Sequence, residues 1–274
     1  MKSVLKYPGS KWSIAKHIIS FFPRHHTYIE PYFGSGAVLF NKKPSAIETV
    51  NDLDWEVCNL FNCIRKDSER LAGLVSMIPY SRSEYDDTFK ICINDLLCQA
   101  DPFQKAAMFL IQCWQGHGFR TNGYKVGWKN DVQGREAMYA VKNWYRLPGW
   151  ILAITDRLKQ VQIENRPALE VIARHRYPNV LIYADPPYLL ETRTAKQYKH
   201  EMTEQDHVDL LEMLQQHPGL VVLSGYQSEL YDEMLKGWHK ESIKGRAEYS
   251  GQDRLEVLWM NFEPVEKQVS LFTL

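Results

Sequence analysis

The sequence predicts an α/β fold, an open sheet carrying helices and interrupted once by a mostly helical insertion. Three observations predict it. Apolar runs of strand length end in acids or turn residues, as in TYIE at 27–30, AIETVND at 46–52 and NVLIYAD at 179–185. Helical periodicity fills most intervals between such runs. Between about 68 and 147 the strand signals stop while the helical patterns continue.

Taken in order, SIAKHIISF at 13–21 carries apolar positions at helical spacing, with Ser13 placed to cap it. A strand at 27–30 leads into a glycine turn at Gly34 and Gly36 and a helix expected from near Ala37. A second strand at 46–50 ends at Asn51 and Asp52. A helix from about Trp55 to Arg65 then sets Trp55, Cys58, Phe61 and Asn62 on neighbouring turns. LAGLVSMIPY, YDDTFKICINDLLCQ and DPFQKAAMFLIQCW all read as helical. QGHGFRTNGYKVGWKNDVQG breaks the period with five glycines and reads as a loop or hairpin. After Pro148 the alternation resumes: helix GWILAITDRLKQV, strand VQIE, helix PALEVIARH, strand NVLIYA. It continues with helix EQDHVDLLEMLQQH capped by Thr203, strand GLVVLSGY, helix QSELYDEML and strand LEVLWMNF. The chain is thus expected to divide into a catalytic part at 1–67, an insertion at 68–147 and a second catalytic part at 148–274.

At 274 residues and 45% hydrophobic content the chain can bury a substantial core. The formal net charge is zero, so any nucleic-acid binding must come from local patches. The five cysteines include no C-x-x-C pair, and no histidine stands at metal-ligand spacing, so neither a disulfide framework nor a metal centre is expected. No run reaches the length of a membrane span, and MKSVLKYPGSK lacks a secretory signal; a cytosolic location is expected, with no membrane partner.

Three constellations carry chemistry. In EPYFGSG (30–36) the glycines permit a sharp turn and close ligand approach, and Asp52 at the next strand tip can accept hydrogen bonds from ribose hydroxyls. With no third glycine, an adenosine-bearing ligand without a pyrophosphate fits better than a dinucleotide. In DPPY (185–188) the prolines stiffen the loop and leave carbonyl oxygens free. Asp185 with a neighbouring carbonyl offers two acceptors to an NH₂ group, and Tyr188 offers a stacking face. Taken alone, DPPY reads equally well as a strand-ending turn. The third, YPGSK at 7–11, would by itself be a Pro-Gly turn with a solvated lysine.

In this order, from KYPGSK through IEPYFGSGAVLF, the insertion with its NG loop and DPPY to EVLWMNF, the chain resembles the Dam-like N6-adenine-specific DNA methyltransferase family. The resemblance implies a Rossmann-like S-adenosylmethionine-dependent methyltransferase fold with a helical target-recognition insertion. It implies S-adenosyl-L-methionine as cofactor and double-stranded DNA as partner, with methyl transfer to the N6 of a flipped adenine. Tyr7, Lys11, Glu30, Phe33, Gly34, Gly36, Asp52 and Asp185 fall on the cofactor side, and Asp185, Pro186, Pro187 and Tyr188 on the catalytic motif. Asp54 is the alternative to Asp52 in NDLD; Asp52 stands nearer the strand tip, and Asp54 suits the first turn of a helix. The resemblance admits a cognate restriction nuclease as a partner, a bacterial or phage origin and a monomer. Methylation of cytosine N4, of an RNA adenine or of a protein amide, and a catalytically silent DNA-binding relative, remain open alternatives; the aspartate of DPPY tilts the choice to adenine.

For DNA contact, residues 117–146 hold Arg120, Lys125, Lys129, Arg135, Lys142 and Arg146 against Asp131 and Glu136, with Phe119, Tyr124 and Trp128 interleaved and Asn122-Gly123 at a turn. A solvated charged face is the alternative. RTAKQYKH at 193–200 adds Lys196 and Lys199 directly after DPPY, either as a segment closing on the target strand or as a polar connection.

Overall fold

A computed structural model describes residues 1–93, 101–118, 120–130, 137–193, 196–246 and 253–264. Among them are helices α1 (Ala15–Ile19), α2 (Trp55–Met77), α3 (Arg82–Ile93), α4 (Pro102–Gln115), α5 (Ala137–Leu158), α6 (Ala168–Arg174), α7 (Glu204–Gln215) and α8 (Glu229–Met234). The strands are β1 (Thr27–Glu30), β2 (Ile47–Asn51), β3 (Gln162–Glu164), β4 (Val180–Ala184), β5 (Leu220–Gly225), β6 (His239–Arg246) and β7 (Asp253–Met260). They form one sheet in the order β3-β2-β1-β4-β5-β7-β6, parallel except for β7, which runs antiparallel to both β5 and β6.

Strand periodicity sorts the core into two layers. Tyr28, Val50, Leu181, Tyr183, Val222, Leu258 and Met260 face one way and pack with α1, α2, α4 and α5. Their neighbours Ile29, Ile182, Val221, Leu223, Val257 and Trp259 face the other way, onto α6, α7 and α8. Strands covered on both sides are the ones that read as continuous apolar runs. The strand order reverses at β1 and β4, so a crevice opens beyond the carboxyl ends of those two strands. Because β7 is antiparallel, it delivers its first residues to that same end of the sheet.

Several local expectations are corrected. The first helix has Ile14, not Ser13, at its N-cap, without a side-chain cap. No helix begins near Ala37: Gly34 and Gly36 sit at φ 48° and 68°, and the chain turns through Ala37–Phe40 before descending to β2. The helix from Trp55 runs on to Met77, broken only at Asp67 (φ −158°, ψ 82°), whose Oδ1 accepts from the N–H of Arg70 as the chain re-enters helix. The helix expected after Pro148 already begins at Ala137 and carries Pro148 inside it. β6 had no apolar signal. It is an edge strand, HKESIKGR, and charge is how edges avoid further pairing. The Thr203 cap holds: its Oγ1 accepts from the N–H of Asp206, whose carboxylate accepts in return from the N–H of Thr203.

Candidate active site

The carboxyl ends of β1, β2 and β4 open onto a cavity of about 260 Å³. Each strand contributes an acid or its neighbour there: Glu30 from β1, Asn51 and Asp52 from β2, and Asp185 one residue beyond β4. The N-terminal loop closes one side with Tyr7, Pro8, Gly9 and Lys11, and the β3–α6 turn another with Pro167, Ala168 and Leu169.

The glycine loop fits its task by close contact. A Cβ on Gly34 would stand 3.1 Å from the Tyr7 ring, and one on Gly36 would stand 2.6 Å from Phe33 and Phe40. Gly34 and Phe33 line the cavity; Gly36 does not, and instead lets those two rings pack beneath it. Phe33 is fixed by its N–H to the Asn51 carbonyl (2.8 Å) and by an edge contact on Phe61.

Asp52 accepts from the Gly34 N–H (2.8 Å) on Oδ2 and from the Asp54 N–H (2.9 Å) on Oδ1, which ties the glycine loop to the tip of β2. A carboxylate has about four lone-pair sites, so acceptor capacity remains toward the cavity. Burial pushes Asp52 up to about 7, against the lowering effect of those two backbone N–H groups. Asp54 is the N-cap of α2, accepting from the Glu56 N–H (3.0 Å), and it also takes the Tyr7 hydroxyl (3.4 Å). Glu30 is buried, accepts the Tyr28 hydroxyl at 2.9 Å, and is raised to about 8 by that burial.

At the tip of β4 the geometry is densest. Lys11 Nζ lies 3.0 Å from Asp185 Oδ2, 3.8 Å from Glu256 Oε1 and 2.7 Å from the Gly9 carbonyl. Burial alone would lower the lysine, but the charges of Asp185 and Glu256 outweigh it and hold the ammonium above its ordinary value. The Tyr188 hydroxyl reaches Glu256 Oε2 (2.6 Å), Asp185 Oδ1 (3.0 Å) and Ser224 Oγ (3.2 Å). Tyr188 is accordingly buried, its ring edge-on to Tyr226 at 4.6 Å. Asp185 and Pro187 line the cavity; Pro186 and Tyr188 do not.

Glu256 and Ser224 were missed by sequence reasoning. Parallel strands place their site residues where they end, whereas Glu256 lies near the start of an antiparallel one. Tyr198 and Glu201 were missed as well. Tyr198 lines the cavity, donates to the Pro8 carbonyl (3.2 Å) and faces Tyr7 with ring centroids 6.1 Å apart. Arg193, from the basic stretch, is turned inward: it donates to the Tyr188 carbonyl (2.7 Å) and pairs with Glu201. Glu201 also accepts from the N–H groups of Gln197 and Tyr198.

The glycine-rich stretch is a loop pinned at its base, with a bridge between Gly116 and Trp128 and the His117 N–H on the Gly127 carbonyl. It touches the second basic stretch directly. Thr121 N–H bonds the Gln197 carbonyl (2.9 Å), Lys199 N–H bonds Thr121 Oγ1 (2.8 Å), and Asn122 bonds the Lys196 carbonyl (3.1 Å). Tyr124 is 65% exposed with the Arg120 guanidinium 5.6 Å from its ring. Trp128 is instead packed between Tyr80 and Arg82, and Lys125 pairs with Asp86 at 2.8 Å. Lys129 is held through its backbone, by the Gln115 carbonyl and the Tyr80 hydroxyl. Phe119, Asp131, Arg135 and Glu136 lie outside the described residues.

The profile of the D12 class N6 adenine-specific DNA methyltransferases matches residues 7–250, from the N-terminal loop through DPPY and β6. The chain belongs to that family. It is also similar to the type II methyltransferase M1.LlaDCHI of Lactococcus lactis subsp. cremoris, with 24% identity over 258 residues covering 89% of this chain and 88% of that protein. The type II methyltransferase M.MjaIII of Methanocaldococcus jannaschii is 22% identical over 295 residues, covering 96% and 99%. A DNA adenine methylase of Serratia marcescens matches over 118 residues at 22%, covering 42% and 43%. Among the described residues, none of the helices is long and apolar enough to cross a membrane, and no group of three or more His, Cys, Asp or Glu could hold a metal ion.

Proposed function

We propose that this adenine-specific DNA methyltransferase binds S-adenosyl-L-methionine in the cavity beyond β1, β2 and β4 and methylates the N6 of an adenine flipped out of duplex DNA, with Asp185 as the residue that receives the amine. One observation carries the reading: Asp185 lines the same cavity as Glu30, Gly34 and Asp52, so an amine acceptor and an adenosine-type pocket share one wall. The donor set fits the cofactor, since buried acids suit a cationic ligand and the close approach at Gly34 suits a flat ring or ribose. Tyr7, Lys11, Glu30, Phe33, Gly34 and Asp52 hold or frame it, Gly36 shapes the loop from behind, and when bound it supplies an electrophilic methyl group.

The chain's own residues do the rest. An adenine amine delocalises its lone pair into the ring and is a poor nucleophile. Asp185 accepts one of its N–H bonds at the cavity wall and the carbonyl of Pro186, just beyond that wall, the other, which favours a tetrahedral nitrogen and fixes the direction of its lone pair. Pro187 keeps this loop stiff. Flipping the base requires a few kcal/mol, offset by stacking in the pocket. Tyr188 serves as a stacking face only if its ring leaves the packed position against Tyr226; in that packed position it acts through its hydroxyl. The methylated nitrogen, now cationic, loses one proton to solvent water to complete the turnover.

DNA is held by the loop at 116–130 and by the segment it binds. Arg120, Asn122, Tyr124, Lys125, Trp128, Lys129, Lys196 and Lys199 remain the proposed contacts, with Tyr124 the exposed aromatic and Trp128 and Lys125 bracing the loop. Residues 68–147 form the recognition part, flanked by catalytic parts at 1–67 and 148–274, in a cytoplasmic monomer. The test is Asp185→Ala on unmethylated DNA with a labelled cofactor: methyl transfer to adenine is abolished while cofactor binding persists. Turnover close to wild type would overturn the role of Asp185, and label recovered in cytosine would overturn the choice of base.

A further inference from the structure

Behind Asp185 stands a second carboxylate that the methyl-transfer reading does not use. Glu256 belongs to β7, is 9% exposed, and projects from the same sheet face as Leu258 and Met260, toward the tip of β4. Among the described residues, those that meet there include Lys11 from the N-terminal loop, Tyr183, Asp185 and Tyr188 from β4 and the loop after it, and Ser224 from β5.

The Tyr188 hydroxyl has one proton and three oxygens within 3.2 Å. Its 2.6 Å separation from Glu256 is that of a charge-assisted O–H···O⁻ bond, whereas 3.0 Å to Asp185 Oδ1 is the long limit for hydroxyl donors. The proton therefore goes to Glu256, and the Ser224 hydroxyl can donate to the phenol oxygen in turn. Burial first, and then the charges of Asp185 and Glu256, keep the Tyr188 phenol protonated, so the hydroxyl is a donor throughout the working range. Lys11 meanwhile covers the other oxygen of Asp185, Oδ2.

We infer that Glu256 is a positioning residue for methyl transfer: by drawing the Tyr188 hydroxyl onto itself, it keeps Oδ1 of Asp185 open to accept an N–H of the substrate amine. Without the Glu256 charge the same hydroxyl would swing its proton to Asp185 Oδ1 and occupy the acceptor. The inference rests on Asp185 receiving the amine, as proposed above.

The test is Glu256→Gln in two backgrounds, assayed by labelled-methyl incorporation into unmethylated DNA at saturating cofactor, with cofactor affinity measured by calorimetry. In the natural background kcat falls by about tenfold or more, the scale of one hydrogen bond to a charged group, while cofactor Kd stays within about twofold. In the Tyr188→Phe background, which has no phenol proton to misdirect, the same replacement changes kcat by less than about twofold; this non-additivity is the signature of action through the hydroxyl. Glu256→Asp keeps the charge near Lys11 but withdraws the acceptor from Tyr188, gives the same pattern, and serves if Glu256→Gln does not fold. An unchanged kcat in the natural background, or an equal loss in both, overturns the inference. A wild-type protein that transfers no methyl to adenine overturns the functional reading instead.

Discussion

Replacing Lys11 by methionine removes the ammonium that the structure sets between Asp185 and Glu256 while keeping most of the side-chain volume. Its side chain is 5% exposed and those of the two acids 17% and 12%. At an effective dielectric of about 20, unit charges at the observed 3.0 and 3.8 Å attract by about 5 and 4 kcal/mol. Desolvation of three charged groups offsets much of that attraction. The net loss on deleting one partner should match other broken buried pairs, about 3–5 kcal/mol. For a chain of this size such a loss lowers Tm by about 10 °C. Lys11 also fixes Oδ2 of Asp185, so kcat should fall by about tenfold or more when the ammonium is removed. Differential scanning calorimetry and methyl incorporation read the two effects. A Lys11→Met protein with wild-type Tm and wild-type kcat would refute the picture of a shared counter-ion.

Gly36→Ala should lose about 2–4 kcal/mol of stability, from a positive φ and from a Cβ driven against Phe33 and Phe40, and urea unfolding reads it directly; a loss under about 0.5 kcal/mol would mean that the loop relaxes freely. A cationic cofactor favours the ionised forms of Asp52 and Glu30, raised to about 7 and about 8, so binding near neutrality should release protons and weaken as pH falls from 8 to 6. Calorimetry in buffers of different ionisation enthalpy detects the release, and Asp52→Asn should remove part of it. Stability of the free protein should run the opposite way: Asp52, raised from 3.8 to about 7, favours folding below 3.8 and loses that contribution as pH rises from there to about 7. Converting Lys196 and Lys199 to glutamine should lower the salt slope of DNA binding by about 1–2, and an unchanged slope would leave those residues as a polar connection.

How much of this was legible depended on where each residue gets its environment. The strands at 27–30, 47–51 and 180–184 announce themselves because both faces are covered, and Asp52 and Asp185 follow from standing just past parallel strands. The cavity does gather Tyr7, Lys11, Glu30, Phe33, Gly34, Asp52 and Asp185 from sites far apart in the chain. Gly36 and Tyr188 carry the right motifs yet act from behind the cavity wall, a distinction that only packing makes. Glu256 is one acid in an apolar strand, and its place beside Asp185 depends on β7 running against its neighbours, a matter of topology rather than local pattern. The pattern predicts a helix beginning after Pro148, yet tertiary contact along α2 carries the helix from Ala137 through that proline. QGHGFRTNGYKVGWKNDVQG reads as loop or hairpin, and its described residues after Gln115 are irregular; that Trp128 is a brace and Tyr124 the exposed ring does not follow from their spacing.

The hydroxyl of Thr121 has an implication for re-targeting. Because it accepts the N–H of Lys199, next to the Tyr198 that walls the cavity, the loop proposed to meet DNA and the wall of the proposed cofactor cavity are stapled together. On that reading, transplanting a foreign loop between Gly116 and Trp128 to change sequence preference would disturb the cavity as well, unless the graft brings a serine or threonine to the same place.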